Sequence, residues 1–376
     1  MEKILFVIHD LSMGGAEKVL VNLVNNMNQK KYDITVLALF GGGVNEKFLK
    51  PHIRYKSIYK KTIPGNSKLM KILTPEQLHR KYIKETYDIE VAYLEGPTTR
   101  IVSGCTNKET RLICWVHTEL HTKEVAARAY RSYRESNDCY LKYHGVVAVS
   151  EGVKKDFEKV YPNVRKTTVL YNTNETKRIL ELKNEKIEKK IMNEKCVRIC
   201  GVGKVIKQKG FSKLARVHKK LIEDGFSVHT YILGVGDEKE SIEHYLVDNE
   251  ISGSFTFLGY QTNPYKYLDK MDIFVCSSSV EGFSTATTEA LILGCAVVTT
   301  PVAGMKEMLG ENNEYGIIAE MSEESLYKNI RELVVNSEML EYYKKQSRIR
   351  GGFFSKENTV MDVENYMDNL VAVDKY

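Results

Sequence analysis

Short apolar runs alternate with stretches of helical periodicity along most of the chain, the pattern of parallel sheets joined by crossover helices. In the first half the runs fall at Ile4–Ile8, Ile34–Leu39, Glu90–Leu94, Arg111–Val116, Gly145–Val149 and Thr168–Tyr171. Between the first two, Val19, Leu20, Leu23, Val24 and Met27 recur on one face of a helix predicted over Gly15–Met27. At 175–195 the pattern changes to a charge-dense stretch without Pro or Gly, which predicts an exposed helical connector. Apolar runs then resume at Val197–Val202, Val228–Leu233, Phe255–Leu258, Ile273–Cys276, Ala296–Thr299 and Gly316–Ile318. Helices are predicted near Lys213–Glu223, Lys239–Val247, Ser284–Leu293 and Glu324–Asn336. The final amphipathic stretch, Ser355–Leu370, is suited to cross back onto the first half.

The expected fold class is therefore α/β, with two Rossmann-like doubly wound domains in series. The expected boundaries are 1–175 for the first domain, 176–195 for the linker and 196–354 for the second, with a terminal helix at 355–376 packing on the first. A chain of 376 residues suits two cores. No apolar run approaches the roughly 20 residues that span a bilayer, and Ile4–Ile8 is too short for a signal peptide, so a cytoplasmic location is expected. The seven cysteines (105, 114, 139, 196, 200, 276 and 295) are odd in number and scattered, which argues for buried thiols rather than a disulfide framework. Cys196 and Cys200 are four apart, without a second Cys or His pair to complete a metal site.

Charge separates the halves. Residues 1–180 carry a net +11 and residues 181–376 a net −5. The excess peaks between Lys47 and Lys84, where eleven basic residues face one acid, Glu76, and are interleaved with Leu49, Ile53, Ile58, Leu69, Met70, Ile72 and Leu73. Such a segment suits an anionic surface or acceptor, and an anionic membrane surface is one candidate. The bland alternative is a solvated face. No zinc-finger or aromatic RNA-binding motif supports a nucleic-acid partner.

The loops that follow the predicted strands carry the chemistry, because ligands of open parallel sheets bind beyond the strands' carboxyl ends. The strongest is Ser277-Ser-Ser-Val-Glu281-Gly282-Phe283-Ser284-Thr285, which leaves a strand, turns at Gly282 and enters a helix containing Glu289. A helix start directs free N–H groups and positive dipole at an anion such as a diphosphate. Gly201-Val-Gly203-Lys204 through Lys209-Gly210 follows another strand and combines close backbone approach with positive charge. Asp10-Leu-Ser-Met-Gly14-Gly15-Ala-Glu17 opens the first helix with paired glycines, but it is not a dinucleotide fingerprint.

Together these residues resemble the retaining glycosyltransferase family 4, of GT-B fold and of the bacterial cell-surface polysaccharide type. The resemblance rests on Gly14-Gly15-Ala16-Glu17, on Gly203-Lys204 with Lys209-Gly210, on Glu281 and Glu289 eight apart, and on the segment from Gly294 through Gly304 to Glu307. It implies an active site in the cleft between the two domains. Glu281, His117 and Lys209 would be catalytic. Gly14, Gly15, Lys204, Lys209, Gly282, Phe283, Ser284, Thr285 and Glu289 would bind the donor, with Glu289 on the ribose and the lysines on the diphosphate. His117 matches the family's histidine near the sugar. Lys204 stands where the family usually has Arg, which keeps the charge but loses the bidentate fork.

The implied reaction moves a hexose or N-acetylhexosamine from a nucleotide-diphosphate sugar, UDP-linked by family preference, to a saccharide acceptor, lipid-linked in keeping with the basic segment. No Asp-x-Asp sequence is present, so no metal or other cofactor is implied, and the lysines would carry the leaving-group charge. Two rival readings use the same residues: a catalytically silent GT-B-like partner of another transferase, and a nucleotide-sugar epimerase.

Overall fold

Strand β1 (Glu2–Ile8) is fully apolar from Ile4 onward because it lies inside a sheet covered on both faces, and the helix Gly15–Asn26 returns the chain so that β2 (Tyr32–Phe40) pairs with it in parallel. The computed structural model describes residues 1–61, 70–187 and 195–372. The chain divides into two units, 1–174 with 356–376, and 175–355.

In the first unit, β3 (Arg54–Tyr59), β4 (Ile89–Ala92), β5 (Arg111–Val116), β6 (Gly145–Ala148) and β7 (Thr167–Val169) complete a seven-stranded sheet ordered β3-β2-β1-β4-β5-β6-β7, in which every pairing is parallel. β3 is an edge strand inside the basic segment, where no apolar run announces it. Its sequence RYKSIY offers little to a core, and its cations pair outward, Arg54 with Asp33 at 3.0 Å and Lys56 with Glu85. The apolar residues of that segment do not form one exposed stripe. Ile53 and Met70 are buried, Leu49, Ile58 and Leu73 are half-buried, and Ile72 alone of the described ones is well exposed. Lys68 and Leu69 lie outside the described residues.

The turn that carries Ile72 is held by two arginines. Arg100, fully buried, donates to the carbonyls of Met70 and Leu73 at 2.7 Å each, while Arg131 donates to those of Lys71 and Ile72 at 2.6 Å each. Glu135 accepts from the Arg100 guanidinium at 2.7 Å and from the Arg131 backbone N–H at 2.6 Å. The helix Lys356–Ala372 packs on this unit: Glu364 accepts the Asn28 backbone N–H at 2.6 Å, and Asp368 accepts from the Tyr32 hydroxyl at 3.1 Å and from Lys31.

The second unit repeats the plan with six strands, β8 (Val197–Val202), β9 (Val228–Leu233), β10 (Phe255–Gly259), β11 (Ile273–Cys276), β12 (Ala296–Thr299) and β13 (Ile317–Ile318), in the order β10-β9-β8-β11-β12-β13. Ile199, Ile232, Ile273 and Val298 from the sheet meet Leu214, Leu221, Leu326 and Ile330 from the helices in one core. The connector departs from expectation at its start. The helix Thr176–Leu182 buries Ile179, packs against the helix Thr285–Leu293 and belongs to the second unit, while 188–194 lie outside the described residues.

In each unit the chain leaves a central strand pair in opposite directions, β1 beside β4 and β8 beside β11. Such a switch point opens a crevice beyond the strands' carboxyl ends. The loops after these four strands are therefore the geometric candidates for ligand binding.

Candidate active site

In the second unit, the loops after β8 and β11 are stitched together. Ser279 donates its backbone N–H to the Gln208 carbonyl at 2.8 Å, and the Ser277 hydroxyl donates to the Lys209 carbonyl at 2.8 Å. Gly210 is required here: its φ of +67° is left-handed, and a Cβ would lie 2.3 Å from the Ser277 carbonyl oxygen. These contacts bring Lys209 and Glu281 together, with Nζ 2.5 Å from Oε1. The same Glu281 oxygen accepts from the Ser278 hydroxyl at 2.7 Å. Thr300, at the end of β12, braces the loop by donating to the Ser278 carbonyl at 2.5 Å.

Gly282 and Ser284 lead into the helix Thr285–Leu293. Ser284 is its N-cap, accepting the Thr287 N–H at 3.2 Å, and Gly294 closes it with φ +79°. The N–H groups of Thr285 and Ala286 stand ahead of the first intrahelical bond and give the loop a concentrated positive end. Glu289 lies deeper, 3% exposed, accepting from the Tyr265 hydroxyl at 3.3 Å. Phe283 turns inward against Phe354, with ring centroids 5.5 Å apart, and packs against Gly304, so its buried side chain anchors the loop. Lys204 is exposed on the β8 loop. The structure thus joins Lys209 to Glu281, with Gly282 and Ser284 following Glu281 along the same loop, while Lys204 is exposed and Glu289 is buried.

In the first unit, Gly14 and Gly15 follow β1. Neither has a positive φ. Gly14 is extended at φ −156°, and the nearest atoms that a Cβ there would meet belong to the Glu17 carboxylate. Behind the two glycines Asp10 accepts from the Ser12 N–H at 2.8 Å and pairs with His9 at 2.7 Å. The His9 contact first, offset in part by burial, then the Ser12 bonds, hold its carboxyl far below the ordinary range. Gly43 in the loop after β2 packs on this turn, where a Cβ would sit 2.2 Å from the Leu11 carbonyl carbon.

His117 ends β5. Its backbone N–H donates to Glu95 at 3.0 Å, its ring lies 5.0 Å from that of Tyr93, and one ring nitrogen bonds the Tyr93 backbone. The other, Nε2, is buried without a hydrogen-bond partner. Burial pushes the imidazole down to about 4, so it is neutral at pH 7. Reading the sequence missed Glu95, Ser278 and Tyr265, which orient His117, Glu281 and Glu289. Glu95 and Ser278 do stand just after apolar runs, where such a reading can find them, whereas Tyr265 is brought in by tertiary packing alone.

None of the seven cysteines, all of them among the described residues, forms a disulfide. No helix among the described residues is long and apolar enough to cross a membrane.

Residues 13–178 match the family model described as Glycosyltransferase Family 4, and residues 183–350 match that of Glycosyl transferases group 1. These two regions make the chain a glycosyltransferase, and its fold is GT-B. It is similar, at 25% identity over 98% of this chain and 100% of the relative, to the N-acetylgalactosamine-N,N'-diacetylbacillosaminyl-diphospho-undecaprenol 4-alpha-N-acetylgalactosaminyltransferase of Campylobacter jejuni. The capsular polysaccharide biosynthesis glycosyltransferase CapM of Staphylococcus aureus is 28% identical over 43% of each chain. Among solved structures, HepE from Anabaena in complex with UDP and glucose superposes with a TM-score of 0.77 at 16% identity, over 98% of this chain and 100% of that one. Sucrose-phosphate synthase from Thermosynechococcus elongatus does so with 0.79 at 15% identity, over the whole of both.

Proposed function

We propose that this chain is a retaining glycosyltransferase of family 4. It transfers a hexose or N-acetylhexosamine from a UDP-sugar to a lipid-linked saccharide in the synthesis of a cell-surface polysaccharide. The observation that carries the reading is the Lys209–Glu281 pair set beside the start of the helix Thr285–Leu293 at the β8/β11 switch point. Breaking the bond between sugar and diphosphate builds negative charge on the leaving group. Lys209, Lys204 and the N–H groups of Thr285 and Ala286 stabilise that charge from fixed positions, without a metal. Glu281 orients Lys209 and the donor sugar, and Glu289 accepts the ribose hydroxyls. Gly14 and Gly15 admit the diphosphate close to the backbone. Neutral His117 offers Nε2 as acceptor for a sugar hydroxyl. The names of the Campylobacter relative and of the HepE complex support the lipid-diphosphate acceptor and the UDP donor.

The test is a calorimetric screen of nucleotide sugars, followed by product analysis with and without a polyprenyl-diphosphate saccharide. Glu281→Ala is expected to abolish transfer while UDP still binds. Wild-type turnover in that variant overturns the role of Glu281. Failure of the wild-type protein to bind any nucleotide diphosphate favours a catalytically silent partner, and sugar interconversion without acceptor favours an epimerase.

The basic segment 47–84 extends the proposal to the inner face of the cell membrane. Its support is electrostatic, since Lys60, Lys61, Arg80, Lys81 and Lys84 are exposed. Binding to anionic vesicles that fades with salt is expected, and equal binding to neutral vesicles rejects it.

A further inference from the structure

Glu90 is the second residue of β4, in the middle of the first unit's sheet, and its side chain is 2% exposed. A carboxylate so placed needs partners. Two come from different segments. His79, on the last turn of the helix Pro75–Tyr82, brings Nε2 to 2.8 Å from Glu90 Oε2. Cys105 follows the helix Pro97–Val102, and its thiol, the Glu90 carboxylate and the His79 imidazole all lie within 4.8 Å of one another.

The approach of Cys105 is built in. Gly104 packs so hard on the start of the helix Pro75–Tyr82 that a Cβ would sit 1.9 Å from the Pro75 carbonyl oxygen and 2.7 Å from the Glu76 nitrogen. Three segments thus converge with one nitrogen, one oxygen and one sulfur donor. Without a metal the sulfur makes only a contact with His79 and a long one of 3.9 Å to the Asn107 carbonyl, whereas a borderline divalent cation uses all three donors at once. The half-exposed His79 and Cys105 leave a side open for entry and for a water as fourth ligand.

We propose that His79 Nε2, Glu90 and Cys105 Sγ form a zinc site in the first unit, which pins the helix Pro75–Tyr82 to β4 and to the turn after Pro97–Val102. Binding exchanges two protons for the metal, the thiol proton of Cys105 and the Nε2 proton that His79 directs at the Glu90 carboxylate, and both are released to solvent. The site is separate from the residues assigned to the donor and does not depend on the proposed reaction. The other cluster of metal-binding side chains among the described residues, Glu119, His121 and Asp156, contains no sulfur, and Asp156 already accepts the backbone N–H groups of Leu120 and His121.

The sulfur provides the test. Purified full-length protein, stripped of metal, is titrated with cobalt(II) as the spectroscopic probe and with zinc(II) in thermal unfolding. One equivalent of cobalt with a thiolate-to-metal charge-transfer band is expected, displaced by zinc, together with a rise in Tm on adding zinc. Cys105→Ser is expected to lose the band and the rise in Tm, and His79→Gln to weaken cobalt binding at least about tenfold. Cys196→Ser, which alters the other half-exposed thiol, and His121→Ala are expected to retain both signals. Absence of the band in the wild-type protein, or its survival in Cys105→Ser, overturns the proposal. Near-ultraviolet circular dichroism of the metal-free variants separates loss of the site from loss of the fold.

Discussion

The Lys209 ammonium lies 2.5 Å from the Glu281 carboxylate, 72 residues further along the chain. Each charge compensates the other at the mouth of a helix that would by itself attract anions. The Lys209 ammonium is held in a fixed orientation, because Glu281 is itself fixed by the Ser278 hydroxyl at 2.7 Å. Lys209→Ala is expected to weaken UDP binding by about 1.5–3 kcal/mol, the range of a charged hydrogen bond, and to lower transfer further. Calorimetric titration with UDP measures it, and an unchanged dissociation constant removes Lys209 from the site.

Gly210 offers a backbone test of the same loop. Gly210→Ala forces a side chain into a left-handed residue and against the Ser277 carbonyl, at an expected cost of about 1–3 kcal/mol to the second unit. Because the loop shifts with it, UDP affinity is expected to fall as well. Denaturant unfolding and UDP titration on one preparation check both, and a variant as stable as wild type shows that the turn relaxes freely.

Arg100 organises the turn at 70–73. Arg100→Leu leaves the Met70 and Leu73 carbonyls and part of the Glu135 carboxylate without their donor, and is expected to destabilise the first unit by about 3–5 kcal/mol. Arg131→Ala, at a partly exposed position, is expected to cost about 1 kcal/mol. Limited trypsin digestion should show faster cleavage after Lys71 in Arg100→Leu, and equal cleavage in the two variants contradicts the ranking.

Two buried histidines contribute to the response to acid. Burial holds His117 down to about 4, and burial followed by the nearby His229 holds His218 there too, against an ordinary value of 6.5. Below pH 6.5 the unfolded chain takes up protons that the folded chain refuses, so stability is complete above that pH and falls as pH drops toward 4. The loss reaches about 3 kcal/mol for each residue. His117 belongs to the first unit and His218 to the second, so each unit carries one of these two contributions. Urea unfolding at pH 7, 6 and 5 measures it. His218→Gln should flatten the pH dependence of the second unit, and an unaltered slope rules His218 out as the source.

The sequence by itself determined the α/β class, twelve of the thirteen strands among the described residues, and the loops rich in Gly, Lys and Glu. Buried parallel strands must be apolar runs, and anion-binding turns need glycine and charge at short spacing; both constraints act within ten residues or so. Strand β3 escaped because an edge strand does not need an apolar run. Its residues serve the solvent side, and only pairing with β2 defines it. Tertiary structure decided what depends on strand order: that β8 lies beside β11, which sets Lys209 against Glu281, and that Tyr265 reaches Glu289. It also turned Phe283 into the core and brought His79, Glu90 and Cys105 to one place. Each of these joins residues distant in sequence through the packing of separate elements, and no local pattern of hydrophobicity or spacing records such a meeting.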